Sequence, residues 1–342
     1  MDTSPHTASQ VLRRVDLHAL GMRAHEIRRA VAAGELVRVR RDRYMVGGGG
    51  PVERAVRVGG RLACVSVLAL AGVFVLDPRR VHVHLARSAS RLRSPHDAAR
   101  SLASADRAGL CLHWSPLREP PEGLAAVGLH DALRQAVRCQ EPRAAVATVD
   151  SVLHAGLMTW DEVRDVFSGL PRRYRTILRL ADPTAEAGSE TFMRLILRQL
   201  GLRYETQVVI SGVGRVDFLV EGWLIIECDS KAHHEGWEKQ RRDRKRDLAA
   251  AQLGLVTFRP LAEDLFFAGG DVAAAVRGIV AAHRRCRWRR SVGQSVSRSV
   301  GQSVSRSVGQ SVSRSVGQGR ARHNSGRTAP SRLQAVVWPG SA

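Results

Sequence analysis

Several things are scarce in this 342-residue chain, and each scarcity narrows what the protein can be. No run of about 18 uncharged apolar residues occurs, the length at which a helix becomes a candidate to cross a bilayer. The nearest stretch, 61–80 (RLACVSVLALAGVFVLDPRR), carries Gly72 and stops at a charged turn, so it is expected to be a buried core element and no membrane partner is expected. The opening MDTSPHTASQ lacks a basic start followed by an apolar stretch, so no secretory signal is read there and a cytoplasmic location is expected. The cysteines, Cys64, Cys111, Cys139, Cys228 and Cys286, are odd in number, scattered and without CxxC spacing. That pattern speaks against a disulfide framework and against a structural zinc site, and leaves buried or free thiols in a reducing compartment. Acidic residues are also scarce, 32 against 53 Lys and Arg, for a net charge of +21. An excess of this size favours a polyanionic partner through counterion release, and DNA is the first candidate. Part of it lies from Arg287 onward, where ten arginines occur with no acid.

What remains is ordinary globular material, with a hydrophobic fraction of 44% and enough length for two or three domains. From 286 to 342 the octamer SVGQSVSR recurs at Ser291, Ser299 and Ser307; it offers only Val to a core, so a disordered Arg/Ser repeat tail is expected there. Residues 8–50 read differently. Leu17, Leu20, Ile27, Ala30 and Val31 suit two short helices turning at Gly21, and ELVRVRRDRYMV alternates like a small hairpin, the layout of a winged helix-turn-helix. In it 25–33 would be the recognition helix, with Arg28 and Arg29 facing DNA and Arg38, Arg40, Arg41 and Arg43 on the wing. A helical cap with a solvated basic face is the plainer alternative. Residues 51–182 alternate strand-like and helical stretches as a mixed α/β middle domain with no catalytic signature. His82 and His84 in VHVH share one strand face, a spacing that can chelate metal, but no third ligand is in view, so a phosphate contact or an exposed face is preferred.

A further α/β domain is expected over 184–285. Ser189 caps a helix with Phe192, Leu195, Ile196 and Gln199 on its buried stripe, and the order is helix, strand, strand, helix, strand. Its strands hold three acids, Asp217, Glu227 and Asp229, among Val, Leu, Ile and Phe. Carboxylates crowded in an apolar setting lose hydration and repel, and a bound cation is the usual relief. Register decides whether they meet. A two-residue loop at Glu221 and Gly222 sends Asp217 and Glu227 to opposite faces; a three-residue loop, 221–223, sets them opposite each other, brings Asp229 beside them, and collects Phe218, Val220, Leu224, Ile226 and Cys228 on the other face. Burial of that apolar set favours the second. Facing carboxylates can share a hard divalent ion, Mg2+ or Mn2+, that activates water for phosphodiester hydrolysis. Lys231 repeats the strand period, and His234, with His233 in reserve, is placed to protonate a leaving group or touch phosphate. The competing account pairs the acids with Arg241, Arg244 and Lys245, which share a helix face; the same face would otherwise hold the DNA backbone.

These residues resemble the very-short-patch-repair-like endonuclease domains of the PD-(D/E)XK restriction-endonuclease-like superfamily. Ser189 with Glu190, the Val216-Asp217-Phe218 strand, Ile226-Glu227-Cys228-Asp229-Ser230 with His234, Asp243-Arg244-Lys245-Arg246 with Leu248 and Gly254, and Arg259 carry the likeness. It implies a central mixed sheet and a site of Asp217, Glu227 and Asp229 assisted by Glu190. Ser230 stands where that pattern has glycine, and Asp229 where lysine is expected, which leaves the water-activating group open between Lys231 and His234. Residues 8–180, on AAGELVRVRRDRYMV and VDSVLHAG, resemble the antitoxin of abortive-infection type IV toxin-antitoxin systems. That likeness implies a DNA reader, a cognate toxin as a partner, and an alternative function: a regulator whose nuclease fold is degenerate.

Overall fold

The computed structural model describes residues 11–120, 123–228 and 237–285, without the side chains of Glu238 and Lys239. Asp229, Lys231, His233 and His234 lie outside the described residues, as does the repeat segment 286–342. The chain divides into a compact unit, Met1–Arg277, and a second, Gly278–Ala342, of which 278–285 are described and helical.

The first unit opens with β1 (Val11–Leu12), α1 (Arg14–Ala19), α2 (Ala24–Ala32), β2 (Leu36–Arg40) and β3 (Arg43–Val46), the strands forming an antiparallel sheet in the order β1-β3-β2. Each helix starts with a first-turn acid accepting from the preceding backbone: Arg13 N–H donates to Asp16 at 2.8 Å and Arg23 N–H to Glu26 at 2.6 Å. That bond satisfies an N-terminal amide, and the negative charge sits at the favourable end of the helix dipole. Leu17, Ile27, Ala30, Leu36 and Tyr44 form the small core. Leu20, expected in it, is 69% exposed because it caps the C-terminus of α1, beyond the last helical turn.

Next come α3 (Gly50–Val58), β4 (Arg61–Leu62), α4 (Cys64–Leu70), β5 (Val81–His84), α5 (Ser104–Arg107), β6 (Leu110–His113), α6 (Leu129–Cys139), α7 (Pro142–His154), α8 (Trp160–Ser168), a 3-10 turn (Arg172–Tyr174) and α9 (Arg175–Leu180). β4 is antiparallel to β5 and β5 parallel to β6. The 61–80 stretch is core, with Leu62, Ala63, Val65, Leu68 and Val73 buried, and among the described residues no helix is long and apolar enough to cross a membrane. Gly60 permits the tight entry into β4: a Cβ there would stand 2.2 Å from the His84 carbonyl oxygen.

The last part holds α10 (Gly188–Gln199), β7 (Tyr204–Ile210), β8 (Gly214–Val220), β9 (Leu224–Ile226), α11 (Trp237–Gln252), β10 (Val256–Phe258) and α12 (Ala262–Phe267), followed by helical residues 269–277. Its sheet runs β10-β9-β8-β7; β7, β8 and β9 are antiparallel neighbours and β10 lies parallel to β9. The sequence pattern predicts two strands before the long helix, and Tyr204–Ile210 makes a third. Ala187, not Ser189, is the N-cap of α10; Ser189 is buried inside the helix and Gln199 is exposed. Contacts cross the boundary expected near 182–184. Arg194 of α10 and Asp150 of α7 form a fully buried ion pair at 2.6 Å, and the same carboxylate accepts from Thr191 Oγ1 at 2.6 Å and from the Asp182 N–H at 2.6 Å.

Candidate functional site

The turn between β8 and β9 sets the site. Val220 pairs with Leu224, Leu219 with Ile225 and Phe218 with Ile226, so three residues, 221–223, make the turn, with Glu221 and Gly222 at φ of 52° and 73°. One step further along that register Asp217 faces Glu227. Phe218, Val220, Leu224, Ile226 and Cys228 are all buried, the apolar set whose burial favours this register over a two-residue loop. The Cys228 N–H donates to Asp217 Oδ2 at 2.8 Å, and the Glu227 N–H donates to the Phe258 carbonyl at 3.1 Å, which ties both acids to the frame of the sheet.

Glu190 reaches the same region from the first turn of α10. Its carboxylate accepts from Gln207 Nε2 at 3.0 Å and from the Glu186 N–H at 3.1 Å. Burial, and then the charge of Asp217, push its carboxyl up to about 7. Glu227 is also raised: burial outweighs two opposing guanidiniums, and Asp217 adds repulsion. Those guanidiniums belong to Arg246 of α11, 2.6 Å from Glu227, and Arg259 after β10, which also holds Asp247 at 2.9 Å. Ion pairing between the acids and the Arg-rich helix therefore exists, but it runs through Arg246. Arg241, Arg244 and Lys245 are exposed, and Arg244 stacks over the Trp237 ring at 5.8 Å.

The donors here are carboxylate oxygens, the kind that hard cations such as Mg2+ and Mn2+ prefer. Half-buried Asp217, with buried Glu227 and Glu190 repelled by its charge, suits such an ion in kind. Among the described residues, however, these three acids do not gather tightly enough to form a ligand group by themselves, and Asp229 lies outside them.

The closest set of metal-capable donors among the described residues is elsewhere. Cys64, His82, His113 and Cys139 bring one ligand atom each to within 4.8 Å of one another, so this cluster can bind a metal. Two expectations are corrected by it. His82 and His84 are buried rather than on an exposed face, and Cys64, Cys111 and Cys139, far apart in sequence, lie close together. The strand alternation at VHVH is a signal that sequence carries; the ligands from β6 and from the ends of α4 and α6 have none, because folding alone brings them together.

In the N-terminal part, Arg28 and Arg29 of α2 and Arg38 and Arg41 of the hairpin are exposed. Arg43 is half-buried and holds Asp42. Arg40 is differently employed: its guanidinium donates to the carbonyls of Arg57 at 3.0 Å, Val58 at 2.9 Å and Arg91 at 3.0 Å, so it fastens the hairpin to α3 instead of facing outward. Compared with protein-family models and with curated proteins, the chain matches none.

Proposed function

We propose that this protein binds DNA and that residues 184–285 hydrolyse DNA phosphodiester bonds with Mg2+ or Mn2+. The observation that carries the proposal is the register of the β8–β9 hairpin, which faces Asp217 with Glu227 on the side from which Glu190 feels the charge of Asp217. The mixed sheet, three antiparallel strands and a parallel fourth after a helix, supports the restriction-endonuclease-like reading of this part. Asp217, Glu227 and Asp229 would hold the ion, which when bound supplies an acidic water and a Lewis acid for the phosphate. Glu190, held near neutrality in pKa, is the group among these able to exchange a proton at the pH of the cell. Arg241, Arg244 and Lys245 lie on the exposed side of α11 and would grip the backbone beside the cut. Arg28, Arg29, Arg38 and Arg41 would hold DNA through the helix-turn-helix.

A second reading rests on a specific contact. Glu227 is already neutralised by Arg246 and Arg259, which favours a non-catalytic regulator or antitoxin, acting with a cognate toxin, in which the nuclease fold is a scaffold. Nicking of supercoiled plasmid with Mg2+ or Mn2+ separates the two. Activity in the wild type that disappears in Asp217→Ala and Glu227→Ala supports hydrolysis; metal-independent binding to a promoter-like site with no nicking supports the regulator.

A further inference from the structure

The middle segment carries a feature that DNA hydrolysis leaves unused. His82 Nδ1 and His113 Nε2 lie 3.1 Å apart, and Cys139 Sγ lies 3.8 Å from His82 Nδ1. Cys64 Sγ completes the group inside the mutual 4.8 Å reach. A tetrahedral zinc ion bound at ordinary Zn–S and Zn–N lengths separates its ligands by about 3.4–3.8 Å, so the measured spacings are close to what such an ion imposes. We propose that Cys64, His82, His113 and Cys139 form a structural zinc site.

Four different elements converge to make it. Cys64 stands at the start of α4, just after β4, and the Ala63 N–H bond to the His82 carbonyl at 2.9 Å fixes it beside β5. Its backbone has φ of 54°, a left-handed conformation that is strained for a non-glycine residue. His82 and His113 come from adjacent parallel strands, where His82 pairs with Cys111 and His84 with His113, so the two ligating rings are diagonal neighbours, with centroids 5.3 Å apart. Cys139 is the last residue of α6, whose packing on α4 brings the two thiols to the same place.

The donor set has the softness for zinc: two thiols and two imidazoles, with no carboxylate. Four protein ligands leave no open position, which makes the site structural rather than hydrolytic. Cys64 and His82 are buried while Cys139 is exposed, so an ion has a way in. Binding converts both thiols to thiolates and releases two protons to solvent, with the imidazoles coordinating as neutral rings. Cys111 Sγ, 3.7 Å from Cys139 Sγ, is the neighbouring thiol able to stand in for Cys139.

The test uses the full chain purified under reducing conditions without chelator. About one equivalent of zinc per chain is expected, with zinc release on thiol modification. After exchange with Co2+, the protein should show the intense visible ligand-field bands and near-ultraviolet thiolate charge transfer of a tetrahedral S2N2 site. Cys64→Ser, His82→Ala and the pair Cys111→Ser with Cys139→Ser should each abolish that spectrum, whereas Cys228→Ser should retain it. Should a variant fail to fold, the wild type alone decides: chelator should lower its melting temperature and zinc should restore it. A wild type with no bound zinc and an octahedral cobalt spectrum, a spectrum unchanged in Cys64→Ser, or a Cys111–Cys139 disulfide in place of metal would overturn the proposal.

Discussion

At the scale of single residues, Glu190 and the arginines carry the most direct consequences. The carboxyl of Glu190 is raised from 4.5 to about 7 by burial and by Asp217. Between those pH values the folded protein holds a proton that the unfolded chain has released, so stability falls as pH rises from about 4.5 to 7 and then levels off. The shift corresponds to about 3 kcal/mol, since each pKa unit is worth about 1.4 kcal/mol. Urea unfolding of wild type and Glu190→Gln should therefore show the variant gaining relative stability as pH rises across that window. A constant difference between the two would contradict the assignment. The basic residues separate by employment. Replacing exposed Arg28 and Arg29 by Ala should flatten the dependence of log K on log salt by about 1 for each phosphate no longer engaged, with the melting temperature unchanged. Arg40→Ala should do the reverse, lowering the melting temperature through the loss of three hydrogen bonds to backbone carbonyls, with little effect on the salt slope.

At the scale of elements, the hairpin is the most legible part of the chain, because period-two burial of Phe218, Val220, Leu224 and Ile226 allows only one register once their face must be covered. The two N-terminal helices are legible for a similar reason: Leu17, Ile27 and Ala30 mark their buried stripe, while Leu20 misleads because it continues the period past the point where the first helix stops. Tyr204–Ile210 does not declare itself as a strand. Gln207 sits within it at φ of 54°, its side chain bound to Glu190, and it interrupts the ladder between Thr206 and Val208. What sequence cannot show at all is convergence of distant segments. Arg246 and Arg259 on Glu227, and Cys64 with Cys139, are separated by many residues and meet through packing alone. Two predictions belong here. Deleting Gly222 should leave Glu221 and Trp223 as a two-residue turn with Val220 still opposite Leu224, so Asp217 should still face Glu227 and nicking of supercoiled plasmid should persist. Arg194→Met should destabilise the fold by about 3–5 kcal/mol, since it leaves the buried Asp150 carboxylate without its partner; thermal and urea unfolding would measure it.

At the scale of the whole molecule, the proposed DNA binding by a chain of net charge +21 would begin with long-range attraction, before any residue-specific contact forms. Affinity should consequently fall steeply with salt for every sequence tested, and specificity should be sought in the contacts of α2 and the β2–β3 hairpin. Arg246 and Arg259 are ion-paired with Glu227, and the proposed hydrolysis would require Glu227 to exchange them for the cation. Nicking rate in Mg2+, compared between wild type and Asp217→Asn at matched thermal stability, tests the central claim most directly. A drop of at least about 100-fold in the variant is predicted, since removing a ligand should cost no less than disturbing its supports. Equal rates in the two proteins, or no Mg2+-dependent nicking by the wild type, would contradict it.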